Sequence, residues 1–379
     1  MKRARRGLLL AAAAAGVLLA TTLVEHEVPG VPVAAPAPLE KQVRKHDPPV
    51  TPSCDSVAAS WSVRERLAQL LMIGVPGNVD GATKPVRDYQ VGGVFVHANP
   101  AGLLVDGRLA QVRAAAKVPL TVAIDEEGGR VQTVDPLAGS IPSARQMAAT
   151  MSPDQVRAQA ADRGKFLSTA GVTMNFAPVV DVSSKPANTV IGDRSFSGDP
   201  AKVKQYAIAF AAGLSSAGVA PVLKHFPGHG NVDSDSHKTT AVTADLNSLE
   251  ATDLVPYQDL GDYGRVAVMV GHLVVPGLTG QEPATLSPAA YKLLREQFRF
   301  DGLVVTDDLG GMRAISDRYD LPEAVLRAIA AGADVALWSS GARVGDVLDR
   351  LEAATRSGEL SADRLRDAVQ HVLTSKGMC

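Results

Sequence analysis

Short apolar runs recur along this chain with amphipathic segments between them. The runs are LLMIGV (70–75), VGGVFV (91–96), LTVAID (120–125), VTMNFAPVVD (172–181), VAPVLKHF (219–226), VAVMVGHL (266–273), GLVVTDDL (302–309) and DVALW (334–338). Their length and near-continuous apolar character predict strands rather than helices, without the alternation of a half-wet sheet. The segments between them include PDQVRAQAADRGKFLSTAG (153–171), DPAKVKQYAIAFAAGLSSAG (199–218) and LPEAVLRAIAAGA (321–333). These carry apolar residues at three- and four-residue spacing and close on or near a glycine, as helices do. Running into the first run, WSVRERLAQL (61–70) has helical spacing that sets Val63, Leu67 and Leu70 on one face. Strands alternating with helices predict a parallel sheet covered on its outer face. Eight such units in roughly 300 residues match the count and size of an α/β protein built as a single (β/α)8 TIM-type barrel. The competing architecture is an open doubly wound sheet. Its usual ligand signature, G-x-G-x-x-G or a Walker A loop after the first strand, is absent.

The first residues follow a different pattern. In MKRARRGLLLAAAAAGVLLATTLV, Lys2, Arg3, Arg5 and Arg6 precede an apolar run over 7–24, which is the grammar of a secretion signal and predicts an extracytoplasmic protein. Arg5-Arg6 followed by Gly7, Leu8 and Leu9 also resembles a twin-arginine signal. The run reaches the lower limit for spanning a bilayer, so a membrane tether is the alternative to cleavage. A Pro- and Ala-rich stretch follows and reads as an extended linker. The predicted boundaries are a signal or anchor over 1–28, a linker over 29–58 and the catalytic barrel over 59–379.

Charge and composition narrow the partners. Lys and Arg number 38 against 40 Asp and Glu, and aromatic residues make up 4%, so neither a phosphate-tracking stripe nor base-stacking platforms can be read from the chain. That excludes nucleic acid and favours a small neutral or weakly charged ligand, bound by a monomer. The two cysteines, Cys54 and Cys379, lie near opposite ends of the predicted barrel. Cys54 follows TPS, which is unlike a lipoprotein cleavage site. The last predicted helix (361–376) should pack beside the first when the barrel closes. This brings the two thiols to one side and makes a disulfide the expectation in an oxidising compartment.

A barrel places its active site at the C-terminal ends of its strands. Asp125, Asp181, Lys224 with His225, His272 and Asp307 all sit at predicted strand ends, which together predict a lined pocket. The stretch KHFPGHGNVDSDSH (224–237) leaves two chemistries open. His225, His229, Asp233, Asp235 and His237 could ligate a metal, but they lack the spacing that puts two ligands on one helical face, and the expectation is no metal and no cofactor. Alternatively, Asp235 can hold one nitrogen of His237 while the other serves as general acid and base, on a glycine-bearing loop free to move. Asp307 can then act as a carboxylate nucleophile of the kind that retaining glycoside hydrolysis uses, with a histidine where a second carboxylate ordinarily stands.

Six motifs in order, AIDEEGGRVQ, NFAPVVDV, IGDRSF, KHFPGHG with DSDSH, GLVVTDDLGGM and AGADVAL, resemble the β-N-acetylhexosaminidases of glycoside hydrolase family 3, of the NagZ type, over about residues 61–378. The resemblance implies that Asp307 is the nucleophile and His237 the acid/base, oriented by Asp235. It implies that Asp125, Arg194, Lys224 and His225 bind the hydroxyls of a terminal N-acetylglucosamine in a saccharide or muropeptide. Asp181 and His272 are expected to support the site from behind, and Arg130 to be structural. Thr133 stands where many relatives carry an arginine, and Glu126 where they often have His or Gln, which suggests altered subsite contacts. Two-domain β-glucosidases of the family take their acid/base from a second domain, and the histidine loop here, in a chain that stops after the barrel, favours the hexosaminidase type. The expected activity is an exported exo-β-N-acetylglucosaminidase acting in peptidoglycan turnover. A phosphorylase, a silent cell-wall binding protein and a metal-dependent hydrolase are the alternatives.

Overall fold

The structure, a computed structural model, describes residues 52–232 and 240–379. Eight strands form one parallel sheet: β1 (Leu71–Gly74), β2 (Gly93–Phe95), β3 (Thr121–Ile124), β4 (Met174–Asn175), β5 (Ala220–Phe226), β6 (Ala267–Val270), β7 (Val304–Thr306) and β8 (Ala336–Trp338). Each predicted run holds one of them. The hydrogen-bonded order runs β7-β6-β5-β4-β3-β2-β1-β8, with Met72 opposite Gly93 and Leu71 opposite Ala336. A parallel bridge between Val305 and Val335 joins the two edges, so the sheet closes into a nearly complete (β/α)8 barrel. The fourth run is cut short after Asn175. Pro178 has no amide hydrogen for the ladder, and pairing resumes only as a bridge from Val179 to Lys224.

The principal helices are α1 (Cys54–Ala58), α2 (Val63–Ala68), α3 (Pro153–Thr169), α4 (Pro200–Ser216), α5 (Leu321–Ala331), α6 (Val344–Ser357) and α7 (Ala362–Ser375). Their starts are written locally. Ser152 caps α3 through the Gln155 amide, and Pro153 opens its first turn; Asp199 and Pro200 do the same for α4. Gly171 and Gly218, both at positive φ, let the chain turn out of α3 and α4 into the next strand. One expectation fails in α2. Leu67 and Leu70 are buried, but Val63 is exposed, because the helix starts at Val63 and its first turn overhangs the core.

At the N-terminal end of the barrel, Asp334 anchors the last helix. Its buried carboxylate accepts from Arg295 Nη2 (2.6 Å), Arg364 Nη2 (2.8 Å), His371 Nδ1 (3.0 Å) and the Val304 amide (2.9 Å). Helix α7 also packs on α1, and Cys54 and Cys379 form a disulfide with Cα atoms 5.1 Å apart. The sequence separation of 325 residues makes this a closure of nearly the whole domain. Among the described residues no helix is long and apolar enough to cross a membrane.

A cross-link over so long a loop restricts the unfolded chain and should contribute about 2–4 kcal/mol. Reductant, or Cys379→Ser, should therefore lower the thermal midpoint by about 5 °C. Scanning calorimetry checks this, and equal midpoints for both forms would contradict it.

Candidate active site

The strand-end rule places most of the expected residues together. Asp125 follows β3, Lys224 and His225 lie near the end of β5, and Asp307 follows β7. Arg194 reaches the same mouth from the loop after β4, in the 3-10 turn Gly192–Arg194. That loop has no ladder to hold it, and two arginines do so instead. Arg130 binds Asp193 Oδ1 (2.9 Å) and the carbonyls of Thr189, Val190 and Ile191. Arg145 binds the carbonyls of Ser183, Lys185 and Gly192. Arg130 is thus structural, as expected.

The centre of the site is a chain of alternating charges. Lys224 Nζ lies 2.6 Å from Asp125 Oδ1 and 2.6 Å from Glu127 Oε1. Arg194 grips Glu127 in a two-pronged contact, Nε to Oε2 and Nη2 to Oε1, both at 2.8 Å. Burial alone would raise the Glu127 carboxyl, but the Arg194 and Lys224 charges outweigh it and hold the group at about 2. The same pairings outweigh desolvation in Lys224 and Arg194 and raise both above their ordinary values. The Lys224 side chain is 3% exposed and the Glu127 side chain 4%, whereas that of Asp125 is 32% exposed. Asp125 is therefore the member that can offer an oxygen to a ligand, with Arg194, 15% exposed, flanking it.

Beside this chain, His225 is set by Asp181. Its Nδ1 meets Asp181 Oδ2 at 2.7 Å, and Asp181 Oδ1 accepts from the backbone amides of His225 and His229. Its Nε2 lies 3.4 Å from Arg194 Nη2. Burial tends to raise Asp181, but His225 and His229 more than offset this and keep its carboxyl below the usual range. Asp181 is thus the support it was expected to be. His272 plays a similar part, with Nδ1 to Thr285 Oγ1 (2.8 Å) and Nε2 to the Asp308 carbonyl (2.9 Å), fixing the turn after β7.

Asp307 sits on that turn, partly exposed. Its own amide donates to the Val270 carbonyl (3.0 Å), and its Oδ1 accepts from the Asp308 amide (2.9 Å). Desolvation would raise its carboxyl, yet His272, His225, the Asp308 amide and Lys224 together hold it below its ordinary value. It is ionised at neutral pH, as a nucleophile must be. Asp308 turns away, as expected, and caps the turn: Oδ1 accepts from the amides of Gly310, Gly311 and Ser339.

Asp235 and His237 lie outside the described residues, as does Asp233, so the proposed acid/base pair has no geometry here. His229 is described and buried, and its ring packs edge-on to His225 at 6.0 Å; burial lowers its pKa. Among the described residues, the group with cation-ligand geometry is Asp334, Asp367 and His371, at the opposite end of the barrel, where Arg295 and Arg364 already neutralise Asp334. Two surface clefts of about 760 and 790 Å³ also lie at that end, beside the loops feeding β6–β8, and contain none of the site residues.

Glu127 was missed by sequence reasoning, although it joins Lys224 to Arg194. The signal was present in EEGGR, where a second acid follows the strand-end aspartate, but strand parity does not extend past Ile124. Glu126 does not face the ligand side: it is buried, and its Oε2 accepts from the amides of Thr133 and Val134. Thr133 donates its hydroxyl to the Asp125 carbonyl at 2.7 Å, so it steadies the end of β3 rather than presenting a free donor.

Comparison with known proteins identifies the family and agrees with the fold. Residues 62–375 match the family described as glycosyl hydrolase family 3 N terminal domain. The chain is 49% identical over 356 residues to beta-hexosaminidase LpqI of Mycobacterium tuberculosis, covering 92% of this chain and 89% of that protein. The crystal structure of a family 3 glycosyl hydrolase from Mycobacterium smegmatis is similar with a TM-score of 0.82 at 50% identity, covering 84% of this chain and 98% of that one. A family 3 beta-N-acetylglucosaminidase from a Paenibacillus strain is similar with a TM-score of 0.78 at 33% identity, covering 84% of this chain and 62% of that longer one.

Removing the shared anion should loosen both cations at once. Glu127→Gln is expected to lower kcat/KM by about 10²-fold, chiefly through KM, since small displacements of positioning groups cost that much. Steady-state kinetics check this, and a change under twofold would contradict it. Because the folded value near 2 lies below the unfolded value of about 4.3, the Glu127 contribution to stability is complete above that unfolded value and is lost as pH falls toward 2. Acid unfolding followed by circular dichroism should therefore show Glu127→Gln destabilised at pH 7, with the difference from wild type shrinking below about pH 4.

Proposed function

The chain belongs to glycosyl hydrolase family 3, and from that premise we propose that it is an exported retaining exo-β-N-acetylglucosaminidase, removing terminal N-acetylglucosamine from peptidoglycan fragments or related glycosides. The observation that carries this reading is the ionised Asp307 at the end of β7, in the same mouth as the Asp125–Lys224–Glu127–Arg194 chain. Hydroxyls of one sugar ring would bond to Asp125, Arg194, Lys224 and His225, which fixes the anomeric carbon over Asp307. The relatives named beta-hexosaminidase and beta-N-acetylglucosaminidase support the choice of an N-acetylated sugar.

In the first step an Asp307 oxygen forms a bond to the anomeric carbon while the glycosidic C–O bond breaks. The departing oxygen takes a proton from His237, and Asp235 stabilises the imidazole through its other nitrogen. In the second step neutral His237 takes a proton from water, whose oxygen attacks the anomeric carbon and releases the Asp307 carboxylate. Two inversions leave the configuration retained. Export is supported by the cationic and apolar N-terminal pattern and by the Cys54–Cys379 disulfide, which suits an oxidising compartment.

With an aryl N-acetyl-β-glucosaminide, Asp307→Ala should lose at least about 10⁴-fold in turnover. His237→Ala should lose about 10²–10⁴-fold on a disaccharide, where the leaving group needs a proton. A chelator should leave activity unchanged, and added phosphate should not alter the product. Full activity in both variants, chelator sensitivity, or a sugar phosphate product would each overturn the reading in favour of another.

A further inference from the structure

The sugar ligands assigned above occupy the ends of β3 to β7, which leaves the arc of the mouth over β8, β1 and β2 without a role. Two glycines of that arc are fixed by close backbone approach. A Cβ at Gly74 would collide with the Ser339 carbonyl, and one at Gly341 with the Gly74 carbonyl. Bare backbone from β8 therefore folds over the end of β1, and no side chain rises from either glycine. Across it, His97 at the end of β2 reaches the Ser339 carbonyl with Nε2 at 3.2 Å. The Ser339 amide binds Asp308 Oδ1 (3.0 Å) and its hydroxyl binds Asp308 Oδ2 (2.5 Å), while the Asp308 amide binds Asp307 Oδ1 (2.9 Å). A short chain of bonds thus connects His97 to the turn that carries the nucleophile.

The exposed chemistry of this shelf is specific. His97 is exposed, and its ring lies nearly parallel to buried Phe95, with centroids 5.2 Å apart and planes 23° from parallel. Phe95 supports it so that the imidazole is a fixed plate. Ser340, also exposed, stands beside Gly310, and Gly310 and Gly311 present backbone to solvent. The carboxylate of Asp308 is fully engaged by the Ser339, Gly310 and Gly311 groups. An aromatic plate beside hydroxyl and backbone groups, with its one carboxylate spent, suits a neutral pyranose ring: an apolar sugar face lies on the ring and hydroxyls meet the polar edge.

We propose that the β8–β1–β2 shelf, with His97 as its platform, is the subsite for the leaving group, and that it takes a neutral hydroxylated sugar joined to the terminal residue held over β3 to β7. This rests on the glycosidase reading above. An exo-acting pocket must let the rest of the saccharide emerge, and this arc is the stretch of the mouth beside the Asp307 turn that no sugar ligand assigned above occupies.

The test compares di-N-acetylchitobiose, whose leaving group is a sugar ring, with N-acetyl-β-glucosaminyl fluoride, whose leaving group has none. In His97→Ala the ratio of kcat/KM for the disaccharide to that for the fluoride should fall about tenfold, and His97→Phe, which keeps a plate, should restore most of it. A parallel titration in the Asp307→Asn background needs no turnover. There His97→Ala should weaken chitobiose about tenfold relative to free N-acetylglucosamine. An unchanged ratio in both experiments, or equal losses on both ligands, overturns the subsite. If wild type binds chitobiose in a His97-dependent manner but hydrolyses neither substrate, the glycosidase reading falls and the subsite stands. If it binds neither ligand, both fall.

Discussion

Four charges in alternation, Asp125, Lys224, Glu127 and Arg194, the middle two buried, set the shape of this site. Lys224 or Glu127 alone would be costly at that depth, and a lone buried ion would shift its protonation to avoid the charge. Their pairing offsets that cost, and the two-pronged Arg194–Glu127 contact fixes direction as well as distance. Two of the four arise from barrel positions on either side of β4. Arg194 comes from a loop, so its place depends on Arg130 and Arg145, which bind that loop through its carbonyls. The clamp is a product of the loop after β4 as much as of the strands.

The same electrostatics reach the reacting group. Asp307 keeps its charge because His272, His225, the Asp308 amide and Lys224 face it. Lys224 therefore has two roles: it links Asp125 to Glu127 in the chain of charges and contributes to the field at the Asp307 carboxylate. His225 is likewise shared, held by Asp181 on one side and facing Arg194 on the other. Asp307 and the Asp125–Lys224–Glu127–Arg194 chain thus share one electrostatic network, so a change in Glu127 is expected to be felt across it.

Much of this was legible in the sequence, and the reason is physical. Strands covered on both faces are apolar throughout, so each of the eight stood out, and the strand-end rule then selected Asp125, Lys224, His225 and Asp307 from many polar residues. The pairing of Cys54 with Cys379 followed from closure of the barrel. Glu127 was not legible, because it belongs to the small hairpin of Glu126–Gly128 with Val131–Gln132, where neither period applies. For the same reason Glu126 could be taken for a ligand-facing residue when it serves the backbone of Thr133 and Val134. Val63 satisfied helical spacing, yet spacing alone does not say where the core ends. His97 carried no motif; its contact with the Ser339 carbonyl comes from the approach of β8 to β2 over a glycine at the end of β1.

The proposed covalent bond between Asp307 and the sugar can be read directly. Incubation with a 5-fluoro N-acetylglucosaminyl fluoride, which slows release of the intermediate, followed by peptic digestion and mass spectrometry, should add one fluorosugar to the peptide containing Asp307. Fragmentation should localise it to that side chain. A product of inverted anomeric configuration with no adduct, or an adduct on another residue, would contradict the account.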